Sequence, residues 1–213
     1  MKLPAVVTAS ALLLSLAACS QRSDTVAHDL ATAPADAFMA AIAAHCGQAY
    51  EGRVVEDTPA PTGKDPFAGQ RLVMHVRGCA DPAHELRIPF HVGDDHSRTW
   101  VLTRTGNGLR LKHDHRHEDG SPDAITLYGG DSTPPGTAER QRFPADSDSV
   151  AMFRRADMLA STHNTWAMEI DPDQTFVYEL TRPEGRRFRV KFDLSKPVEL
   201  PPAPWGDEKA PAP

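Results

Sequence analysis

The chain has 213 residues, 40% of them hydrophobic and 24% charged, with a formal net charge of −6 at neutral pH. That length supports one domain with a sizeable core, and the mild acidity argues against nucleic acid or anionic lipid headgroups as partners. The thiol complement is three cysteines, Cys19, Cys46 and Cys79.

In chain order, Met1-Lys2 supplies a short positive start, and "AVVTASALLLSLAA" follows as an apolar run. That run falls short of the roughly 20 residues a membrane span needs. It ends in Leu16-Ala17-Ala18-Cys19, which resembles the lipobox of bacterial lipoproteins. The resemblance implies a signal peptide over residues 1–18, cleavage before Cys19, and acylation of Cys19 with palmitate-like chains. Ser20, rather than Asp, follows the cysteine. In that family this implies a periplasm-facing position on the outer membrane. The alternative is an ordinary secretory signal cut after Ala18, leaving a free thiol. Each methylene of an acyl anchor buried in lipid contributes about 0.8 kcal/mol, and two or three chains hold stably. Removing residues 1–18 takes away Lys2 and no acid, which moves the net charge from −6 to −7. Residues 19–34 are small and polar, and read as a flexible tether.

With Cys19 lipidated, Cys46 and Cys79 remain in an oxidising compartment, where a disulfide is expected. It would close a loop of about 34 residues, worth about 3–4 kcal/mol by loop-closure entropy. Two buried free thiols or a metal-binding pair are the alternatives, although no CxxC spacing is present. Asp36 is placed to cap a helix, "DAFMAAIAAHCG", with Phe38, Met39, Ile42 and Cys46 on one face and Gly47 as its stop.

After this helix the period changes to two. "YEGRVVED", "QRLVMHVRGC", "HELRIPFHVG", "SRTWVLTRTG" and "NGLRLKHDHRH" alternate apolar and polar residues between Pro, Gly and Asp clusters. "AITLYGG" and "AERQRFPAD" continue the series. "DSVAMFRRADMLAS" then reads as a short helix capped by Asp148 or Ser149, with Val150, Met152, Phe153 and Ala156 inward. "NTWAMEID", "TFVYELTR" and "RRFRVKFDL" complete the strands, the last with Phe188, Val190, Phe192 and Leu194 on one face. The domain is predicted over residues 35–197, followed by a Pro-rich disordered tail over 198–213.

Nine or ten short strands with hairpin links must close or stack to bury their apolar face. The expected fold is mainly β: an antiparallel up-and-down barrel with an N-terminal helix at one end and one inserted short helix. A two-sheet sandwich is the alternative. The outline is similar to lipocalin-like and other calycin barrels in strand count and order. The Gly-x-Trp motif that opens lipocalins is absent, so no ligand type is implied. The mature chain also resembles uncharacterised bacterial secreted proteins.

The residues that invite chemistry are His113, His115 and His117, in phase with Leu109 and Leu111. In a strand, neighbours in phase lie about 6.6 Å apart. An adjacent pair can therefore share one Zn or Cu ion, whereas all three on a straight strand cannot. His75, His91, His163, and Asp114 or Glu118 across a bulge, are candidates for a further ligand, but neither His75 nor His91 is plainly in phase with the apolar interior. Three readings stand: a transition-metal site, a polar patch in a ligand cavity, or a strand leaving the core for solvent. "HDHRHE" departs from the HxHxDH motif of metallo-β-lactamase-like hydrolases in its last two places, and "GGDST" reads as a turn around Ser132. No catalytic residue is assigned. Leu111, His113, Trp166, Phe176, Tyr178 and Phe188 are the candidate ligand-binding set, since small barrels use inward positions for core and cavity alike. Arg182, Arg186, Arg187 and Arg189 read as the outward face and turn of a hairpin, with contact to an anion as the alternative.

The functional expectation is a lipid-anchored envelope protein whose barrel binds a small apolar or amphipathic ligand or an envelope partner. A metal-binding protein or metal-dependent enzyme, and a structural envelope component, are the competing classes.

Overall fold

The computed structural model describes Met1 and residues 33–60, 62–63, 65–133 and 136–207. Residues 2–32, with the signal segment, Cys19 and most of the tether, lie outside the described residues, as do 208–213.

The first element is helix α1 (Pro34–Ala43). Pro34 opens it, where a missing N–H costs nothing. Asp36 stands in the first turn and pairs with Arg104, rather than serving as the cap. Phe38, Met39 and Ile42 are buried. Cys46 follows and is bonded to Cys79, with Cα atoms 6.1 Å apart.

Ten strands follow: β1 (Ala49–Thr58), β2 (Leu72–His75), β3 (Glu85–Val92), β4 (Asp95–Thr105) and β5 (Gly108–His115) form the first half. The second half is β6 (Tyr128–Asp131), β7 (Arg140–Pro144), β8 (Thr165–Asp171), β9 (Thr175–Thr181) and β10 (Arg187–Val198). All pairings are antiparallel, in the order β6-β5-β4-β3-β2-β1-β10-β9-β8-β7. The molecule is thus a nearly closed ten-stranded barrel with a calycin-like outline, as the strand count predicts, and not a sandwich.

The barrel's two edge strands, β6 and β7, meet at a seam. Asp146 caps helix α2 (Ser147–Arg155) by accepting the Ser149 N–H at 2.8 Å, and its own N–H donates to the Gly129 carbonyl at 2.9 Å. The Ser149 hydroxyl donates to the same carbonyl at 3.0 Å, and accepts the Gly129 N–H at 2.8 Å. A side chain on Gly130 would collide with the Pro144 carbonyl, which is why glycine stands at this crossing. The helix expected to run from Asp148 to Ser161 is broken: α2 ends at Arg155, and a 3-10 helix (Leu159–His163) follows. Of its four expected inward residues only Phe153 is buried, and Ala156 is exposed.

Alternation puts Trp100, Leu102, Leu109, Leu111, Met168 and Phe176 inside, with Phe188 to Leu194 of β10 taking alternate inward places. Trp100 is buried among other aromatic rings. Its ring lies 4.6 Å from Tyr178, 4.9 Å from Phe90 and 6.1 Å from Phe176. Phe67, from the β1–β2 connection, lies 4.8 Å from the Phe188 ring. These inward side chains form one buried cluster.

The tail differs from expectation. Val198 belongs to β10, and residues 199–207 run as an ordered strap against the outer face of β2–β4. The Trp205 N–H donates to the His96 carbonyl at 3.1 Å, and Arg77 donates to the Asp207 carbonyl at 3.2 Å.

Candidate functional site

The barrel end opposite α1 holds a cleft of about 310 Å3. It forms because β5 ends at His115, β6 begins at Tyr128, and α2 with its 3-10 extension leans across the opening between them and β8–β9. Tyr128, Phe153, Trp166 and Tyr178 supply aromatic walls; Ile125, Met158 and Leu180 add aliphatic surface. His115, Asp123, Ser161 and Asn164 bring the polar groups. Leu127, Met158 and Leu159, on the segments that frame the opening, are exposed.

Two His–Tyr pairs order the floor. His113 points into the barrel beside Leu111, and both are buried. Its Nδ1 faces the Tyr128 carbonyl at 3.1 Å and so carries the proton; Nε2 then accepts the Tyr178 hydroxyl at 2.8 Å. The His113 ring stacks on Tyr128 at 4.7 Å and tilts against Trp166 at 4.9 Å. One step along the strand, the Tyr128 hydroxyl meets His115 Nε2 at 3.0 Å. Burial drives the His113 imidazole down to about 3 and the Tyr128 phenol up to about 12. Tyr178 is raised by the same cause, and His115 is lowered chiefly by burial and then by Arg98. At neutral pH all four groups are uncharged, so they offer orientation and hydrogen bonding.

This placement sorts the expected ligand-binding set. Trp166 and Tyr178 line the cleft, and His113 lies behind it, held by Tyr178. Leu111, Phe176 and Phe188 are packed core side chains with less than 5% exposure and are not part of this lining. Tyr128, His115, Phe153, Ile125 and the residues of the 3-10 turn were not in that set. Tyr128 and Phe153 carried a signal, as aromatics where a strand and a helix open onto the same end.

The candidate metal ligands His113, His115 and His117 have different surroundings in the structure. Both His113 ring nitrogens are engaged, His115 Nε2 faces Tyr128, and His117 is exposed beyond the end of β5. No group of three His, Cys, Asp or Glu side chains among the described residues is arranged to hold a metal ion. Ser132 follows β6 and extends its pairing: its hydroxyl accepts the Leu109 N–H at 2.9 Å.

The arginines expected on the outward hairpin face are committed to neighbours. Arg187 and Arg189, with Arg140 of β7, surround Glu179 on the outer face of β9, the closest contact being 2.6 Å from Arg140. Burial alone would raise the Glu179 carboxyl, but hydrogen bonds from Arg140 and Arg187 hold it below its usual range. Arg186 pairs with Asp57, and Arg182 donates to Asn164 at 2.6 Å.

Two other depressions are less suited to a ligand. A groove of about 670 Å3 follows the bulged β1–β10 pairing, but Glu51, Arg53, Lys191, Asp193 and Lys196 make its walls a mosaic of both charges. The second, about 410 Å3, lies under the strap, beside His91 and His96.

No family model matches the chain, and neither curated proteins nor solved structures give a match.

Proposed function

We propose that the protein is a lipid-anchored envelope protein whose barrel domain binds a small amphipathic ligand in the mouth cleft. The observation that carries this reading is the cleft itself: aromatic and aliphatic walls, a few convergent polar groups, and an exposed apolar rim, above buried core side chains. That combination of apolar surface with a few orienting polar atoms is what small-molecule sites share. Its volume of about 310 Å3 suits a small ligand or one end of a longer one. Anchoring rests on the Leu16–Cys19 lipobox resemblance.

The test uses uncharged N-phenyl-1-naphthylamine, whose fluorescence rises in apolar surroundings. Saturable enhancement at one probe per chain is expected, and Leu180→Arg should abolish it while the Tm stays within a few degrees. Absence of saturable enhancement in the intact protein overturns the reading. Anchoring is tested separately: labelled palmitate should enter the full-length chain in a bacterial host, and Cys19→Ser should lose the label.

A further inference from the structure

We infer that the mouth cleft is built for an organic cation, a small substituted ammonium carried on an apolar body. This rests on the proposed reading of the cleft as a ligand site and adds the charge of the ligand.

The first observation is the wall chemistry. Tyr128, Phe153, Trp166 and Tyr178 come together from β6, α2, β8 and β9. They are close-set: the Tyr128 ring lies 5.3 Å from Phe153 and 5.6 Å from Trp166. The face of an aromatic ring carries negative quadrupolar charge, so a desolvated cation held against it is attracted. Substituted ammonium ions suit such a site because their charge is spread over methyl or methylene groups that shed water cheaply.

The second observation is independent of the rings. The cleft lining contains one carboxylate, Asp123, and no lysine or arginine. Asp123 Oδ1 accepts the Ile125 N–H at 2.8 Å, which fixes the carboxylate in place. Charges of both signs stand behind the lining: Arg98 acts against positive charge on His115, and Arg182 donates to Asn164 and Ser161. Asp123, Asp95 and Asp114 all act on His115 to favour positive charge, against Arg98. Arg98 is itself bound to Asp95 at 2.6 Å. His115, the one lining group that could become cationic, is kept neutral by burial. A carboxylate or phosphate ligand would meet the Asp123 carboxylate, with no basic side chain in the described lining itself to offset it. A cation meets a carboxylate, π faces and hydrogen-bond acceptors.

The experiment compares three phenyl probes in displacing N-phenyl-1-naphthylamine from the intact protein at pH 7.5. These are benzyltrimethylammonium, its carbon isostere neopentylbenzene, and the anion phenylacetate. Benzyltrimethylammonium should displace the dye at a concentration at least about tenfold lower than the isostere, and phenylacetate should be weakest. Asp123→Asn keeps an oxygen for the Ile125 N–H, and should reduce the cation's advantage about three- to tenfold while leaving the isostere unchanged. Equal displacement by cation and isostere, or strongest displacement by phenylacetate, overturns the cation inference and leaves the cleft as a ligand site. Failure of the dye to bind overturns the cleft reading itself. The comparison on the unmutated protein stands even if the Asn variant folds poorly.

Discussion

Single side chains set the pH response of this barrel. His75, His91 and His113 are buried and neutral, with burial the main cause; their imidazoles are lowered to about 4, 3 and 3. In the unfolded chain each returns to the ordinary imidazole value of 6.5. As pH falls below that value, the unfolded state takes up protons first, and stability drops by about 1.4 kcal/mol per pH unit for each histidine. The loss continues until the folded imidazoles titrate, near pH 4 for His75 and near 3 for the others. Urea unfolding should therefore show stability falling steeply between pH 6 and 4.5, with a slope approaching three protons; a flat profile would show these imidazoles are not buried neutral. Neither ring nitrogen of His75 has a hydrogen-bond partner among the described residues. His75→Phe should accordingly remove about one proton from that slope and cost little or no stability at pH 7. Tyr178→Phe does the opposite at neutral pH. It strands His113 Nε2 in the core, at a cost of about 1–3 kcal/mol by urea midpoint. The sequence showed the phase of these histidines but not their depth. His75 and His91 do face away from the interior, yet both are buried, His91 beside residues 199–202 of the strap, and a Pro-rich strap has no periodicity from which its docking could be read.

At the level of elements, the strands were legible because each carries one buried face, and a period of two is hard to mistake. The alternation of Trp166, Met168 and Ile170 on β8, and of Phe188 to Leu194 on β10, appears in the structure as it stands in the sequence. What period cannot report is position along the barrel axis. Leu111, Phe176, Trp166 and Tyr178 share the inward phase, but only the last two reach the mouth, because their places on β8 and β9 lie toward that end. The second helix was misread for a related reason. Its apolar spacing runs on through Met158, but Asp157 adopts a positive φ of 56° and breaks the turn. The α2 cap has a structural cost attached. Asp146 also binds the Lys112 ammonium at 2.6 Å, so Asp146→Ala should destabilise by about 1–2 kcal/mol. It should also speed hydrogen exchange at the Gly129 amide, and unchanged exchange there would deny the cap its part in the seam.

Across the whole molecule, one covalent link and one seam determine how the barrel holds its shape. The Cys46–Cys79 bond ties the segment after α1 to the loop before β3, and its removal by paired serine substitution should cost about 3–4 kcal/mol. Thermal melting with and without reductant checks this, and identical melting curves would contradict it. The seam has a different consequence. Every other neighbouring pair of strands is joined by an antiparallel ladder, whereas β6 and β7 are joined, among the described residues, mainly through Gly129, Asp146 and Ser149, with the Thr133 N–H donating to the Arg142 carbonyl at 3.3 Å. A junction of so few contacts can be satisfied as well by a second copy as by the same chain. At high concentration, variants that weaken the Asp146–Ser149 cap should exchange halves about this line. The product would be a dimer with two intact barrels, each completed by its neighbour's edge, detectable by size-exclusion chromatography.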